Sequence, residues 1–288
     1  MKIIYRKIAA VAEVFLVTFI LVPYVVVGIY RLFPGFETWQ TETLGFPVPP
    51  FIYVVEMGVP LIVILLHKGK LADYGIHCHQ LRYQLDIALS CFFPVALAWI
   101  PIAMGVDYTT WGGAILLAIT QVGLLIALGL ILRKKVPASA TVMSTALLLL
   151  VPSMSSGDTA VAGKAIVTFL FYGVFVAFGE EILFRGYMQT RLNEVFGKPY
   201  RFFEIPFGWG AIIASMLFGL MHIGIFRWIL GMSTEMTLAW GFWTIFGGLV
   251  FSLVREKSGG ILAPALLHGL PQAIAFTMMI FFPLSTLG

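Results

Sequence analysis

Phe178-Gly-Glu-Glu-Ile-Leu-Phe-Arg-Gly-Tyr187 closes an apolar run that begins near Gly163. A run of that length followed by two adjacent carboxylates reads as a membrane helix carrying charge into a low-dielectric setting, where each ionised group loses hydration that something must replace. Arg185 lies four residues after Glu181, one helical turn on, so that pair can neutralise itself along one face. Glu180 projects about 100° away from Glu181 on a regular helix. It is left without that partner, which makes it the first candidate for chemistry.

The rest of the chain agrees with a membrane setting. Of its 288 residues 60% are hydrophobic and 11% charged, outside the range of water-soluble globular domains. Runs of spanning length fall near Ile8–Tyr30, Phe51–Leu66, Asp86–Met104, Gly113–Leu132, Val136–Met154, Gly163–Phe178 with the helix continuing through the Glu-Glu pair, Pro206–Phe226, Met236–Val254 and Ile261–Phe282. The expected fold is therefore an all-α polytopic membrane protein, a bundle of eight to nine transmembrane helices. The first run follows Lys2, Arg6 and Lys7 without a small-residue cleavage pattern, and reads as a retained span. With a cytoplasmic N-terminus, nine spans put the Lys68, Lys70 and Arg82 group, Arg133 to Lys135, the Arg191, Lys198 and Arg201 group, and Arg255 with Lys257 on the cytoplasmic side. Only Arg31, Lys164 and Arg227 fall opposite, as an integral protein of the cell membrane should show.

The net charge of +4 is accounted for by those loops and implies no nucleic-acid partner. Two cysteines, Cys78 and Cys91, give no disulfide framework and no zinc-ligand spacing. Residues 1–155 hold few ionisable groups within the spans and read as a packing half, while 156–288 concentrate the polar residues and read as the functional core.

Two further motifs lie in that core. Phe218-Gly-Leu-Met-His222 places an aromatic ring and an imidazole one turn apart, and His268-Gly-Leu-Pro-Gln272 does the same for an imidazole and an amide. Pro271 lacks an N–H, so it should disturb the helix near Leu267 where His268 and Gln272 project. Each histidine taken alone could be packing glue between helices. Glu181 with Arg185 reads as structural, and Glu13 and Glu56 as interface or cavity-facing residues without chemistry. His77-Cys78-His79 has the residue types of a metal site but no further ligands. Ser215 and Cys91 have no evident base.

Taken in order on separate apolar helices, Glu-Glu-x-x-x-Arg, Phe-x-x-x-His and His-x-x-x-amide resemble the CPBP family of intramembrane proteases. That family includes the type II CAAX prenyl endopeptidases, the Ras-converting enzymes and bacterial relatives linked to bacteriocin processing and self-immunity. The resemblance runs from about Gly163 to Ile274 and extends to the Arg255–Leu267 approach to the last histidine. It implies an intramembrane endopeptidase acting on a membrane-associated peptide or protein, prenylated or of bacteriocin type. By that resemblance Glu180 activates water, His222 assists, and His268 with the amide of Gln272 holds the developing oxyanion, supported by Glu181, Arg185 and Phe218. The chain departs from the prenyl endopeptidases in carrying Gln272 where they usually have Asn. Glu180, His222 and His268 would be the ligands if zinc were bound, yet the His-Glu-x-x-His spacing of a zinc helix is missing, which favours catalysis without a cofactor. Two other classes stay open on sequence grounds. One is an ion-coupled transporter, since buried Glu, Arg and His residues also mark proton paths; the other is a non-catalytic scaffold or immunity protein of the same fold.

Overall fold

The structure is a computed structural model that describes residues 2–133, 159–224 and 238–281. Eight apolar helices occupy those residues: α1 (Ile3–Leu32), α2 (Phe51–Leu66), α3 (Leu81–Ile102), α4 (Trp111–Arg133), α5 (Ala160–Phe196), α6 (Trp209–His222), α7 (Leu238–Ser258) and α8 (Leu262–Phe281). Six of them are long and apolar enough to cross a membrane, whereas α2 and α6 are shorter. The protein is thus an integral, mainly helical membrane protein. The expected span Val136–Met154 and Arg227 lie outside the described residues.

The all-α expectation holds for the bundle, to which the chain adds one short element of another kind. Before α6 the chain forms a two-stranded antiparallel ribbon, β1 (Tyr200–Phe202) and β2 (Ile205–Phe207), in which Tyr200 faces Phe207 and Phe202 faces Ile205. The expected span Pro206–Phe226, which is α6, therefore starts at Trp209 rather than Pro206. Aromatic residues favour extended pairing, and the turn residues Phe203 and Glu204 both adopt positive φ, 44° and 71°. Phe203 is held there because its ring lies on Gly129 of α4, where any Cβ would collide with it. The ribbon is thereby fastened to the bundle.

The helices assemble around two main apolar clusters. One draws on α1, α2, α5 and α6 through residues such as Val14, Ile64, Phe184 and Ala214, and the other on α3, α4, α7 and α8 through Ile87, Leu128, Val254 and Leu267. Outward faces carry exposed side chains such as Leu66, Ile119 and Met216, as lipid contact requires. In α1 a wide π-helical turn at Val17–Leu21 runs up to Pro23, whose missing N–H interrupts the regular ladder.

Because lipid gives little apolar drive for helices to associate, close packing and polar contacts between helices must hold the bundle. A charged belt does so at one end. The Glu13 carboxylate accepts from Tyr187 Oη at 2.9 Å and Arg191 Nη2 at 2.9 Å, which ties α1 to α5. Glu256 of α7 accepts from Gln189 Nε2 at 2.8 Å and Asn193 Nδ2 at 2.7 Å, and also pairs with Lys198. The backbone N–H of Gly210 donates to Asn193 Oδ1 at 3.2 Å, so α6 starts level with this belt and runs antiparallel to α5. That register lets His222, at the far end of α6, reach the depth of Glu180.

Candidate active site

In α5 the five α-helical residues Ala177–Glu181 stand between two π-helical stretches, Phe171–Val176 and Ile182–Met188. Such widened turns re-aim side chains relative to a regular helix and are frequent at functional sites. Across from the first stretch, α8 comes unusually near. A Cβ at Gly269 would overlap Ala177 and the Tyr172 carbonyl, so glycine alone lets His268 and Gln272 approach the Glu-Glu pair. Pro271 sits inside α8 without ending it, and the helix continues to Phe281.

Glu181 and Arg185 are fully buried. Arg185 Nη1 donates to Glu181 Oε1 at 2.9 Å and Nη2 donates to the Gly248 carbonyl of α7 at 3.2 Å. The guanidinium also lies 4.5 Å from the centre of the Phe218 ring, a cation–π contact. His268 completes the cluster: its Nδ1 is 2.9 Å from the same Glu181 Oε1, and its ring stacks on Phe251 at 4.7 Å. A carboxylate can only accept, so Nδ1 carries the hydrogen and the Nε2 edge turns toward Glu180.

Glu180 has none of these bonds. Its Oε2 has no hydrogen-bond partner among the described residues and lies 3.7 Å from His268 Nε2. That is too long for a direct hydrogen bond and suits two groups that address one small molecule between them. His222 donates from Nδ1 to the Phe218 carbonyl at 2.8 Å, which leaves Nε2 as its acceptor, and its ring is 4.3 Å from Phe218.

Glu180, Phe218, His222, His268 and Gln272 all line one cavity of about 300 Å³. Glu181 and Arg185 stand behind it. The Gln272 amide makes no hydrogen bond to a described residue. Much of the remaining wall comes from the N-terminal helices and their connections, including Tyr53, Trp99, Tyr108 and Gln121. Periodicity gave no reason to single these out, because aromatic residues and an isolated glutamine in a membrane helix carry no motif.

Glu56 belongs to the neighbourhood in a different way. It is fully buried on α2, and neither carboxylate oxygen has a partner among the described residues. Tyr53, on the same helix, packs against Gly179, and Glu56 and Glu180 interact electrostatically. Other candidates stand apart. Ser215 Oγ donates to the Ala211 carbonyl at 2.6 Å, Cys91 is packed in the second apolar cluster, and the His77 and His79 rings pair 5.3 Å apart in a loop.

Among the described residues no three His, Cys, Asp or Glu side chains are disposed to hold a metal ion. Both histidines commit Nδ1 to an oxygen acceptor and leave Nε2 free, an arrangement that serves proton transfer and metal ligation alike. No step below is routed through a metal.

A family model described as type II CAAX prenyl endopeptidase Rce1-like matches residues 162–274. The matched segment contains Glu180, Glu181, Arg185, Phe218, His222, His268 and Gln272, and it supports the CPBP assignment that the three motifs suggest. No curated protein and no solved structure matches the chain.

Proposed function

We propose that this chain, whose residues 162–274 carry the Rce1-like protease domain, is an intramembrane endopeptidase that hydrolyses its substrate with water activated by Glu180. The observation that carries the reading is the unpartnered Glu180 Oε2 facing His268 Nε2 at 3.7 Å in a cavity shared with His222 and Gln272. Peptide hydrolysis without a covalent intermediate needs a base for water and donors aimed at the tetrahedral oxygen. Glu180 takes one proton as the water oxygen bonds to the scissile carbonyl carbon. The carbonyl oxygen becomes the oxyanion and accepts from the Gln272 amide and from Nε2–H of a doubly protonated His268, whose Nδ1–H is held by Glu181. The C–N bond then breaks, and Glu180 returns its proton to the leaving amine. His222, whose Nε2 is an acceptor, helps to orient the water. Glu181 accepts from His268 Nδ1–H and offsets the charge of the imidazolium, while Arg185 anchors the Glu181 carboxylate.

The substrate on this reading is a membrane-associated peptide or protein, since the cavity lies among membrane-spanning helices. The end bearing the charged belt, with Arg191, Lys198 and Arg201, faces the cytoplasm under the positive-inside distribution, as does the N-terminus. Residues 156–288 form the catalytic core, and residues 1–155 supply part of the cavity wall.

The test is purified protein, reconstituted in lipid, with a panel of membrane-anchored peptides. A new N-terminus that the wild type generates and the Glu180→Gln protein does not, at equal folded yield, is the expected result. Equal cleavage by Glu180→Gln would overturn the mechanism. Movement of a solute or ion without cleavage would favour a transporter.

A further inference from the structure

Gln121 sits near the middle of the 23-residue helix α4, on the stripe through which that helix faces the bundle. Its neighbours on the stripe divide between two apolar clusters. Leu117 and Ala118 pack with Ala239 and Trp243, while Leu124 and Leu128 pack with Val250 and the apolar face of α8. Gln121 joins neither. It is buried, with 7% of its surface exposed, yet its amide makes no hydrogen bond to any described residue and is not shut away from the cavity that Glu180 lines. An apolar side chain would fill this place without loss, whereas an unpartnered amide at membrane depth is unfavourable. The position has the marks of a site completed by a ligand.

We infer that Gln121 is a binding residue for the substrate's peptide backbone, an inference that rests on the endopeptidase reading. A primary amide offers one acceptor and a donor pair side by side, which matches the N–H and C=O of an extended peptide and nothing on a lipid chain. The surrounding wall is aromatic, with Trp99, Tyr108, Trp240 and Trp243, and receives apolar side chains. Gln121 stands on α4, whereas the reacting groups Glu180, His222, His268 and Gln272 stand on α5, α6 and α8. Its bonds are therefore made equally in the bound and transition states, so they affect KM and leave kcat alone.

The experiment uses full-length Gln121→Leu protein and one cleavable membrane-anchored peptide. KM should rise about 10-fold, the loss expected when one buried polar pairing is removed, with kcat within about twofold of wild type and no loss of thermal stability. The same peptide, bound to Glu180→Gln protein, should lose affinity by the same factor when Gln121→Leu is added. Replacing successive peptide N–H groups of the substrate by ester oxygens should reveal one position that weakens binding only when Gln121 is present. An unchanged KM and affinity would overturn the inference, as would a fall in kcat together with stability, which marks a packing role. Gln121-dependent binding without any cleavage by wild type would remove the protease reading and leave the peptide subsite standing. Cleavage with Gln121-independent binding would do the reverse.

Discussion

Replacing Arg185 by Met, alone and together with Glu181→Gln, tests whether the buried pair acts as one energetic unit. Arg185 has no exposed surface, and it gives one donor to Glu181, one to the Gly248 carbonyl and its face to Phe218. Arg185→Met removes all three and leaves the Glu181 carboxylate, whose Oε2 has no partner among the described residues, bonded there only to His268. Breaking a buried ion pair from one side costs about 3–5 kcal/mol, so about 4 kcal/mol is expected. Glu181→Gln keeps an acceptor for His268 and for the guanidinium but removes the charge, at about 2 kcal/mol. In the double variant no charge is left uncompensated, and the total should be about 3 kcal/mol where additivity requires about 6. Reversible unfolding in mixed detergent micelles measures all three. Additivity within about 0.5 kcal/mol would refute the reasoning, because residues in direct contact and sharing one network should couple.

Two further outcomes are expected. Dialysis against a strong chelator should leave activity intact, and elemental analysis should find no stoichiometric zinc; one zinc per chain, lost and restored together with activity, would reverse this. Gln272→Ala should lower kcat by roughly 10²- to 10³-fold with KM little changed if its amide donates to the oxyanion, and Gln272→Asn should be partly impaired because the shorter arm stops short. Unchanged kcat in Gln272→Ala would remove the residue from the site.

The helical membrane architecture was legible because each long apolar run is a local property, and α1, α4, α7 and α8 lie close to where those runs place them. The candidate site was legible for a related reason. Glu180, His222, His268 and Gln272 are expensive residues in otherwise apolar helices, so each announces itself before any neighbour is known. What sequence spacing could not supply is the geometry between helices. The π-helical stretches around Ala177–Glu181, the contact of Gly269 with α5, and the sharing of Glu181 Oε1 by Arg185 and His268 all depend on partners distant in the chain. The ribbon before α6 was missed because Phe203 and Glu204 are not the glycine or asparagine that positive φ usually demands. Gly129, more than 70 residues earlier, supplies the socket that holds Phe203 there.

Tyr53, Glu56 and Gln121 expose the remaining limit of reading by motif. A motif selects polar residues that recur in a pattern, but a pocket selects polar residues whose partners are missing. Glu56 stands out in sequence as a charge within an apolar run, and the structure adds that both its oxygens lack a partner among the described residues beside the Glu180 region. Gln121 is neutral and isolated, so nothing in α4 distinguishes it from packing until it is found lining the cavity with no hydrogen-bond partner among the described residues. The N-terminal helices, which carry none of the three motifs, thus provide part of the cavity wall. If Gln121 binds the substrate backbone as proposed, an apolar replacement there would stabilise the protein and weaken its hold on a peptide.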